Sequence, residues 1–513
     1  MSIRYVGAQL GLLILVLSGT IAAVGVGSAV AQVLGNAGEA AASRALLATA
    51  VIGIALGFGL WRTGRRAGGQ LGRREAMLLV AAGWLVGAAL SALPYRLWAS
   101  VEALGEPADR PFRSFVDCYF EAMSGLTTTG ASVLSDVTMV PGSLLLWRAL
   151  TQWLGGLGII VLFVAVLPSL GVGGKRVFRI ESPGPTPEGV RPKIQETARV
   201  LWLIYVGLSL AEVLALKVLG FSWFESVCHT FATLATGGFS THNTSIGAMH
   251  SAAADVVVIM FMLLAGVNFG IYYHLIRKRW RAAYRDPELR LYLGVVFVGF
   301  LIVAGHLLTH TIHTTVGEQV RPSIGSAVRY GLFQTVSLQT TTGFCTADFN
   351  QWPAAARTVL VLLMFVGASA GSTGGGIKIV RCLITAKVLW GEMERVFRPN
   401  VIRVVKIGDT PVDSDLRLAT LCYVIIIALL FAGGGIALLV LEQGQDIDVV
   451  TAITASAATL NNIGPGLGLV GAVEHYGWFS KPSKLVLSLL MVLGRLEVYA
   501  IAVLFLPRFW LRE

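Results

Sequence analysis

Charge is what this sequence has least of. Asp, Glu, Lys and Arg together make 13% of its 513 residues, against about 25% in a typical soluble domain. A water-exposed surface of ordinary extent is therefore excluded, and with it the soluble enzymes and soluble binding modules. Cysteine is scarce too. Cys118, Cys228, Cys345, Cys382 and Cys422 stand singly in or beside apolar segments, without the paired spacing of a metal site or disulfide framework, and read as small apolar fillers. Acids are outnumbered, 29 against 40 bases. The basic excess sits in short loops between apolar runs, where it reports topology by the positive-inside rule and argues against a nucleic-acid partner. No convergent His, Asp and Glu constellation falls at membrane depth, so a membrane-embedded enzyme is not expected.

Apolar length is what the chain has instead. Hydrophobic residues make 55% of it, and roughly 20 in a row cross a bilayer core. Ten stretches qualify, near 6–32, 44–62, 76–97, 143–168, 199–219, 252–276, 290–309, 354–390, 418–441 and 484–507. The first has signal-peptide features in Arg4 and Ala29-Val30-Ala31. Its apolar region, from about Val6 to Val30, is longer than the roughly 7–15 residues of a signal core and predicts a retained helix. Basic clusters follow at Arg62, Arg65, Arg66, Arg73 and Arg74; at Lys175, Arg176, Arg179, Arg191 and Lys193; at Arg277, Lys278, Arg279, Arg281 and Arg285; and at Arg395, Arg398, Arg403 and Lys406. Each lies an even number of crossings from the N-terminus. The expectation is an inner-membrane protein set in lipid, with both termini cytoplasmic.

The opposite connections are longer and carry acids such as Glu102, Glu106, Asp109, Asp446 and Asp448. Four contain an apolar stretch too short to cross, at 113–126, 222–235, 325–339 and 448–460, of the size that suits re-entrant segments. Each ends alike: Leu126-Thr127-Thr128-Thr129-Gly130-Ala131-Ser132, Ala235-Thr236-Gly237-Gly238-Phe239-Ser240, Gln339-Thr340-Thr341-Thr342-Gly343-Phe344 and Asn461-Asn462-Ile463-Gly464-Pro465-Gly466. With Gly130, Gly237, Gly343 and Gly464 taken as equivalent, the spacings are 107, 106 and 121 residues. Phe120 and Phe333 precede their glycines by ten residues, and Ser124 and Ser337 by six. Adjacent Gly237 and Gly238 leave the second register open by one. An internal repeat of this kind decides the fold. The chain is expected to be an all-α polytopic membrane protein of about ten transmembrane helices plus four re-entrant half-helices. An N-terminal two-helix unit (1–75) precedes four helix–pore loop–helix repeats around one pore, at 76–175, 176–285, 286–395 and 396–513.

The chemistry follows from that arrangement. Non-helical backbone at membrane depth is tolerated where it is buried in protein or lines a cavity, and rings of backbone carbonyls can replace the hydration shell of K⁺. Glycine permits the required backbone directions, threonine adds a hydroxyl, and the half-helices point negative dipole ends at the ion. Thr128, Thr129, Gly130, Thr236, Gly237, Gly238, Thr341, Thr342, Gly343, Ile463 and Gly464 are the expected filter. Ile463 leaves the fourth position without a hydroxyl.

Two further features stand out. The string 367–378, with Gly371, Ser372, Thr373, Gly374, Gly375, Gly376 and Lys378, is no Walker loop, because Ile377 separates Gly376 from Lys378 and no strand precedes it. No nucleotide site is expected in this chain; the small residues instead break the helix below the filter and supply a gate. Arg495 lies within the last apolar segment, where a charge must face a cavity or a partner. Glu497 is a poor partner because i and i+2 do not face each other on a helix. Arg495 is expected at the pore, as an electrostatic barrier or a ligand of loop carbonyls.

These strings, with Gly494-Arg495-Leu496-Glu497, resemble the TrkH/TrkG/KtrB family of bacterial K⁺ uptake proteins, closest to the TrkH branch. The resemblance extends over essentially the whole chain. It implies a homodimer with one pore per protomer, assembled on a cytoplasmic, TrkA-like regulatory subunit that binds NAD(H) or ATP/ADP. It also implies that K⁺ is the transported ion, that the loop at 367–378 is the gate and that Arg495 lies by the ion path. The basic stretch 391–406 is the expected docking surface. A secondary symporter coupling K⁺ to H⁺ or Na⁺ is the alternative, and it requires a titratable residue in the path.

Overall fold

The structure, a computed structural model, describes residues 2–66, 72–101, 112, 114–156, 158, 194–401, 403–408, 410–445 and 447–511. The cluster between Lys175 and Lys193, the acids Glu102, Glu106, Asp109 and Asp446, and the 143–168 segment beyond 158 lie outside these residues.

The chain opens with two long antiparallel helices, α1 (Ile3–Val33) and α2 (Ala40–Gly64). They touch backbone to backbone: a Cβ on Gly11 would meet the Gly57 carbonyl, and one on Gly57 the Gly11 carbonyl. Such small-residue contact is how helices associate where lipid removes the hydrophobic drive. Glu39, at the turn between them, accepts from Ser28 Oγ at 2.9 Å and from the Ser143 N–H at 3.2 Å, which ties the pair to the first repeat.

Four repeats follow. The first comprises α3 (Arg73–Val101), the half-helix α4 (Phe115–Leu126) and α5 (Gly142–Gly156). The second comprises α6 (Ile194–Val218), the half-helix α7 (Trp223–Leu234), α8 (Ala252–Ala265) and α9 (Phe269–Ile276). The third has α10 (Pro287–Leu307), the half-helix α11 (Ile324–Gln339), α12 (Ala354–Phe365) and α13 (Ile379–Phe397). The fourth has α14 (Ser414–Leu441), the half-helix α15 (Val449–Leu460), α16 (Lys481–Arg495) and α17 (Tyr499–Ala502). Two short antiparallel hairpins, pairing Ile312–His313 with Gln319–Val320 and Lys406–Ile407 with Thr410–Pro411, complete a nearly all-helical fold.

The half-helices start by one device. Ser114, Ser222, Ser323 and Asp448 are N-caps whose side chains accept from the N–H three residues on. In the first three, the side chain of that third residue returns the bond to the cap, closing a capping box. Three half-helices have 12 residues and the third has 16, one turn more. The flanking spans keep apolar residues on their outer faces as well as in the core. On α14, Leu418, Ile425, Leu429 and Ile436 are exposed, as expected of a helix facing lipid.

Two segments expected as straight spans are broken. The 252–276 segment bends by 94° between α8 and α9, and the 484–507 segment by 116° after Arg495. The first break is stabilised from outside: the freed carbonyls of Ala265 and Gly266 accept the Thr373 and Ser369 N–H groups, and the Asn268 side chain caps α9 through the Gly270 N–H. The second passes through Glu497 and Val498, both left-handed at φ 53° and 65°. With the 354–390 segment split around its glycines, the inner helices of the last three repeats all break. Six described helices suffice to cross a membrane, or eight with each bent pair counted once.

Gly57→Leu should lower the thermal unfolding midpoint in detergent by an amount equivalent to about 1–3 kcal/mol of overpacking. Gly59→Leu, whose Cβ meets open space, should leave it unchanged. Equal shifts would contradict the α1–α2 contact.

Candidate functional site: four loops closed on one axis

Each half-helix ends in the same turn. The N–H groups of Thr128 and Thr129 donate to Gly125 and Ser124, those of Thr236 and Gly237 to Thr233 and Ala232, those of Thr341 and Thr342 to Leu338 and Ser337, and those of Asn462 and Ile463 to Thr459 and Ala458, all between 2.8 and 3.3 Å. This is a Schellman closure, which satisfies the last helical carbonyls through a left-handed residue. That residue is Thr128 at φ 55°, Thr236 at 53°, Thr341 at 61° and Asn462 at 56°. Two positions on, the chain is left-handed again, at Gly130, Gly238, Gly343 and Gly464, with φ 80°, 76°, 78° and 97°. Alternating hand turns successive carbonyls to one side of the strand. Left-handed threonine is costly and persists only where its surroundings over-determine it.

This geometry corrects the second register. Gly238, not Gly237, is the equivalent of Gly130, Gly343 and Gly464. It also revises the asymmetry expected at Ile463. The residue before the glycine is Thr129, Gly237, Thr342 or Ile463, so two loops lack a hydroxyl there. At the preceding left-handed position, the fourth loop has Asn462 where the others have threonine.

The four loops close on one another. A Cβ on Gly130 would overlap the Gly237 carbonyl, one on Gly238 the Thr342 carbonyl, one on Gly343 the Ile463 carbonyl, and one on Gly464 would crowd the Thr129 carbonyl. Each glycine thus abuts the carbonyl preceding the glycine of the next loop, and the fourth returns to the first. The glycines all line one open cavity of about 120 Å³, walled further by Ser132, Ser240, His242 and Tyr476. The half-helix C-termini, the negative ends of their dipoles, converge beneath it.

On the other side of the ring lies the 366–378 segment between α12 and α13. The Gly375 N–H donates to Thr341 Oγ1 at 2.6 Å, and a Cβ on Gly375 would overlap the Asn461 carbonyl. The loop is also held by Glu288, which accepts the Ala370 N–H at 2.6 Å, and by Lys378 Nζ, which donates to the Gly374 carbonyl. Gly371 and Gly376 are left-handed, and Gly371 packs against the Asn268 side chain. Arg495 reaches the same place. Its guanidinium donates to the carbonyl of Thr373 at 2.8 Å and to those of Gly155 and Gly156 at 2.6 and 2.5 Å, joining α16 to the loop and to the end of α5. The structure therefore brings all of the expected loop residues, the glycine-rich segment and Arg495 to one axis.

Arg495 is joined in the interior by other charges that the sequence reading did not single out. Glu497 pairs with Arg381 of α13 at 2.5 Å. Glu121 and Arg148, both fully or nearly fully buried, pair at 2.7 Å directly behind the first two loops. Glu121 also accepts from the Ser132 hydroxyl and the Val133 N–H, while Arg148 donates to the Ser240 carbonyl and lies 4.0 Å over the Phe239 ring. The signal was present: Glu121 and Arg148 each fall in an apolar segment of the same repeat, where a charge must find a partner.

Fold and site define a multi-span membrane transporter built as four quasi-equivalent loops around an axial pore. The family described as TrkH, cation transport protein, matches residues 42–511, and the chain belongs to that family. It is 36% identical to the Trk system potassium uptake protein TrkH of Escherichia coli K12, over 99% of this chain and all of the relative. It is 38% identical to TrkH of Halomonas elongata, over 90% of this chain and 91% of the relative. The crystal structure of the potassium transporter TrkH from Vibrio parahaemolyticus superposes with a TM-score of 0.84 at 32% identity, covering both chains completely.

Arg148→Leu leaves the buried Glu121 carboxylate uncompensated and should destabilise the protein by about 3–5 kcal/mol. Glu121→Gln/Arg148→Leu, which removes both charges, should recover part of that loss in detergent thermal unfolding. A double variant no more stable than the single would contradict the pairing.

Proposed function

We propose that this chain takes up K⁺ through the axis of its four loops. The carbonyls of Thr129, Gly237, Thr342 and Ile463 face the dehydrated ion, with the left-handed Thr128, Thr236, Thr341 and Asn462 one level below and the four glycines one level above. The observation that carries the reading is the closed circle of glycine–carbonyl contacts. It holds four equivalent carbonyls at one height, the arrangement that can replace a hydration shell. Potassium is named for the relatives as their transported ion. The 366–378 segment, seated against Thr341 and Asn461, acts as the gate, and Arg495 latches it through the Thr373 carbonyl. On this reading the protein is a homodimer in the bacterial inner membrane with cytoplasmic termini. It is controlled by a separate TrkA-like subunit that binds NAD(H) or ATP/ADP and docks near 391–406. Any such control must act through differential contact with open and closed states.

One observation favours a second reading, symport with H⁺ or Na⁺. The buried Glu288 carboxylate holds the gate segment, which puts a titratable group where coupling would need it. A fixed K⁺:H⁺ or K⁺:Na⁺ flux ratio would select symport; current that follows the K⁺ gradient alone would select a channel.

Expression in a K⁺-uptake-deficient bacterium together with its regulatory subunit should restore growth at low external K⁺ and give Rb⁺ uptake; neither growth nor flux would contradict the proposal. Gly343→Ala places a Cβ at φ 78° against the Ile463 carbonyl. It should lower the K⁺/Na⁺ uptake ratio about tenfold for 1–2 kcal/mol of backbone strain, and an unchanged ratio would remove Gly343 from the filter. Arg495→Ala frees the gate segment, so it should raise Rb⁺ flux while the K⁺/Na⁺ ratio stays within about twofold. Reduced flux from folded protein would show that the Arg495 contact is not a latch.

A further inference from the structure

The second loop differs from the others at its ring residue. Thr129, Thr342 and Ile463 carry side chains there, and Gly237 carries none. The vacant volume is filled from α5, since a Cβ on Gly237 would overlap the carboxamide of Gln152. Gln152 is fully buried and makes two hydrogen bonds to this loop. Its Oε1 accepts the Phe239 N–H at 3.1 Å, and its Nε2 donates to the Gly237 carbonyl at 2.6 Å. The first bond fixes the amide orientation, because only the oxygen can accept from an N–H. The other end must then be the donor, and it faces a ring carbonyl.

The first and third loops solve the same problem internally. The Thr129 hydroxyl bonds the Thr127 hydroxyl, and the Thr342 hydroxyl bonds that of Thr340, both at 2.8 Å. Each ring residue is thereby tied to the end of its own half-helix. The second loop has Ala235 at the corresponding place and Gly237 on the ring, so it has neither hydroxyl of that pair. The fourth loop is tied by Asn462, whose Nδ2 donates to Thr129 Oγ1 at 3.0 Å and to the Met491 carbonyl at 2.8 Å.

We infer that Gln152 is the positioning residue of the second loop, supplying from the neighbouring helix the polar side chain that Gly237 lacks and setting the direction of the Gly237 carbonyl in the ring. Gln152 does not touch the ion; it acts through Gly237. Among the described residues, the ring carbonyls of Thr129, Thr342 and Ile463 accept no hydrogen bond, so the Gly237 carbonyl alone shares its charge with a protein donor. Discrimination depends on the number and field strength of the carbonyl dipoles. The ring is therefore electrostatically uneven as well as unequal in its side chains. Glycine at 237 and glutamine at 152 form a matched pair, each requiring the other.

This inference rests on the reading of the four loops as a filter, and the experiment separates the two. Rb⁺ and Na⁺ uptake, normalised to the amount of full-length protein in the membrane, is measured in K⁺-uptake-deficient cells for wild type, Gln152→Leu, Gly237→Thr and Gln152→Ala/Gly237→Thr. Gln152→Leu keeps the bulk and removes both hydrogen bonds. It should lower the Rb⁺/Na⁺ ratio about tenfold and raise the half-saturating Rb⁺ concentration, an effect the size of roughly one buried hydrogen bond, since only the bond to the Gly237 carbonyl bears on the ring. Gly237→Thr alone should abolish selective uptake. The double variant, with space for threonine and a hydroxyl returned to the ring level, should recover the ratio to within about threefold of wild type. A merely structural glutamine would change the amount of protein and leave the ratio alone. A wild-type ratio in Gln152→Leu, tolerance of Gly237→Thr beside an intact Gln152, or a double variant that fails to accumulate or to recover the ratio would each overturn the inference. Absence of selective Rb⁺ uptake by wild type would instead overturn the filter reading itself.

Discussion

A glycine Cα set against a carbonyl oxygen, repeated four times around a circle, is the contact on which the rest of this structure depends. Gly130 abuts Gly237, Gly238 abuts Thr342, Gly343 abuts Ile463 and Gly464 abuts Thr129. The contacts leave no room for a methyl group, so the loops can approach only as bare backbone. Because the circle closes, no single loop can shift without displacing two neighbours. This mutual confinement keeps threonine left-handed at 128, 236 and 341, which an isolated turn would not sustain.

The surrounding elements deliver the loops to that circle. Capped starts fix where each half-helix begins, Schellman turns fix where it ends, and equal lengths in three repeats bring the ends to one depth. The third half-helix, one turn longer, still arrives in register because its extra turn lies at the cap end. Behind the first two loops, the buried charges of Glu121 and Arg148 compensate each other. Arg148 would repel a cation in the adjacent cavity were its charge not matched by Glu121. On the far side, Arg495 donates to three carbonyls, that of Thr373 in the glycine-rich segment and those of Gly155 and Gly156 at the end of α5, so the arginine ties three elements together.

Much of this was legible in the sequence, for identifiable reasons. The half-helices could be placed within a residue or two because a dozen apolar residues before a Thr-Gly string suit neither a span nor a surface loop. The third inner helix announced its break through the glycines at 371–376. What was illegible depends on neighbours distant in the chain. The break at Gly266 carries little local signal, since its freed carbonyls are capped by the 369–373 segment, and the break after Arg495 turns through two left-handed residues, Glu497 and Val498, neither of them a glycine. The register of the second loop was ambiguous because two glycines stand together, and only backbone hand distinguishes Gly238, left-handed, from Gly237, whose glycine is demanded by Gln152. Glu497 finds its partner, Arg381, on a different helix, a pairing that no local spacing could reveal.

The central claim is that the ring carbonyls of Thr129, Gly237, Thr342 and Ile463 bind a dehydrated monovalent cation on a common axis. Anomalous diffraction from crystals of the full chain grown in Rb⁺ tests it most directly. The account predicts Rb⁺ density on the axis, equidistant from those carbonyls to within a few tenths of an ångström and displaced by excess Ba²⁺ or K⁺. An empty axis in saturating Rb⁺, with density only at acidic surface residues, would contradict it.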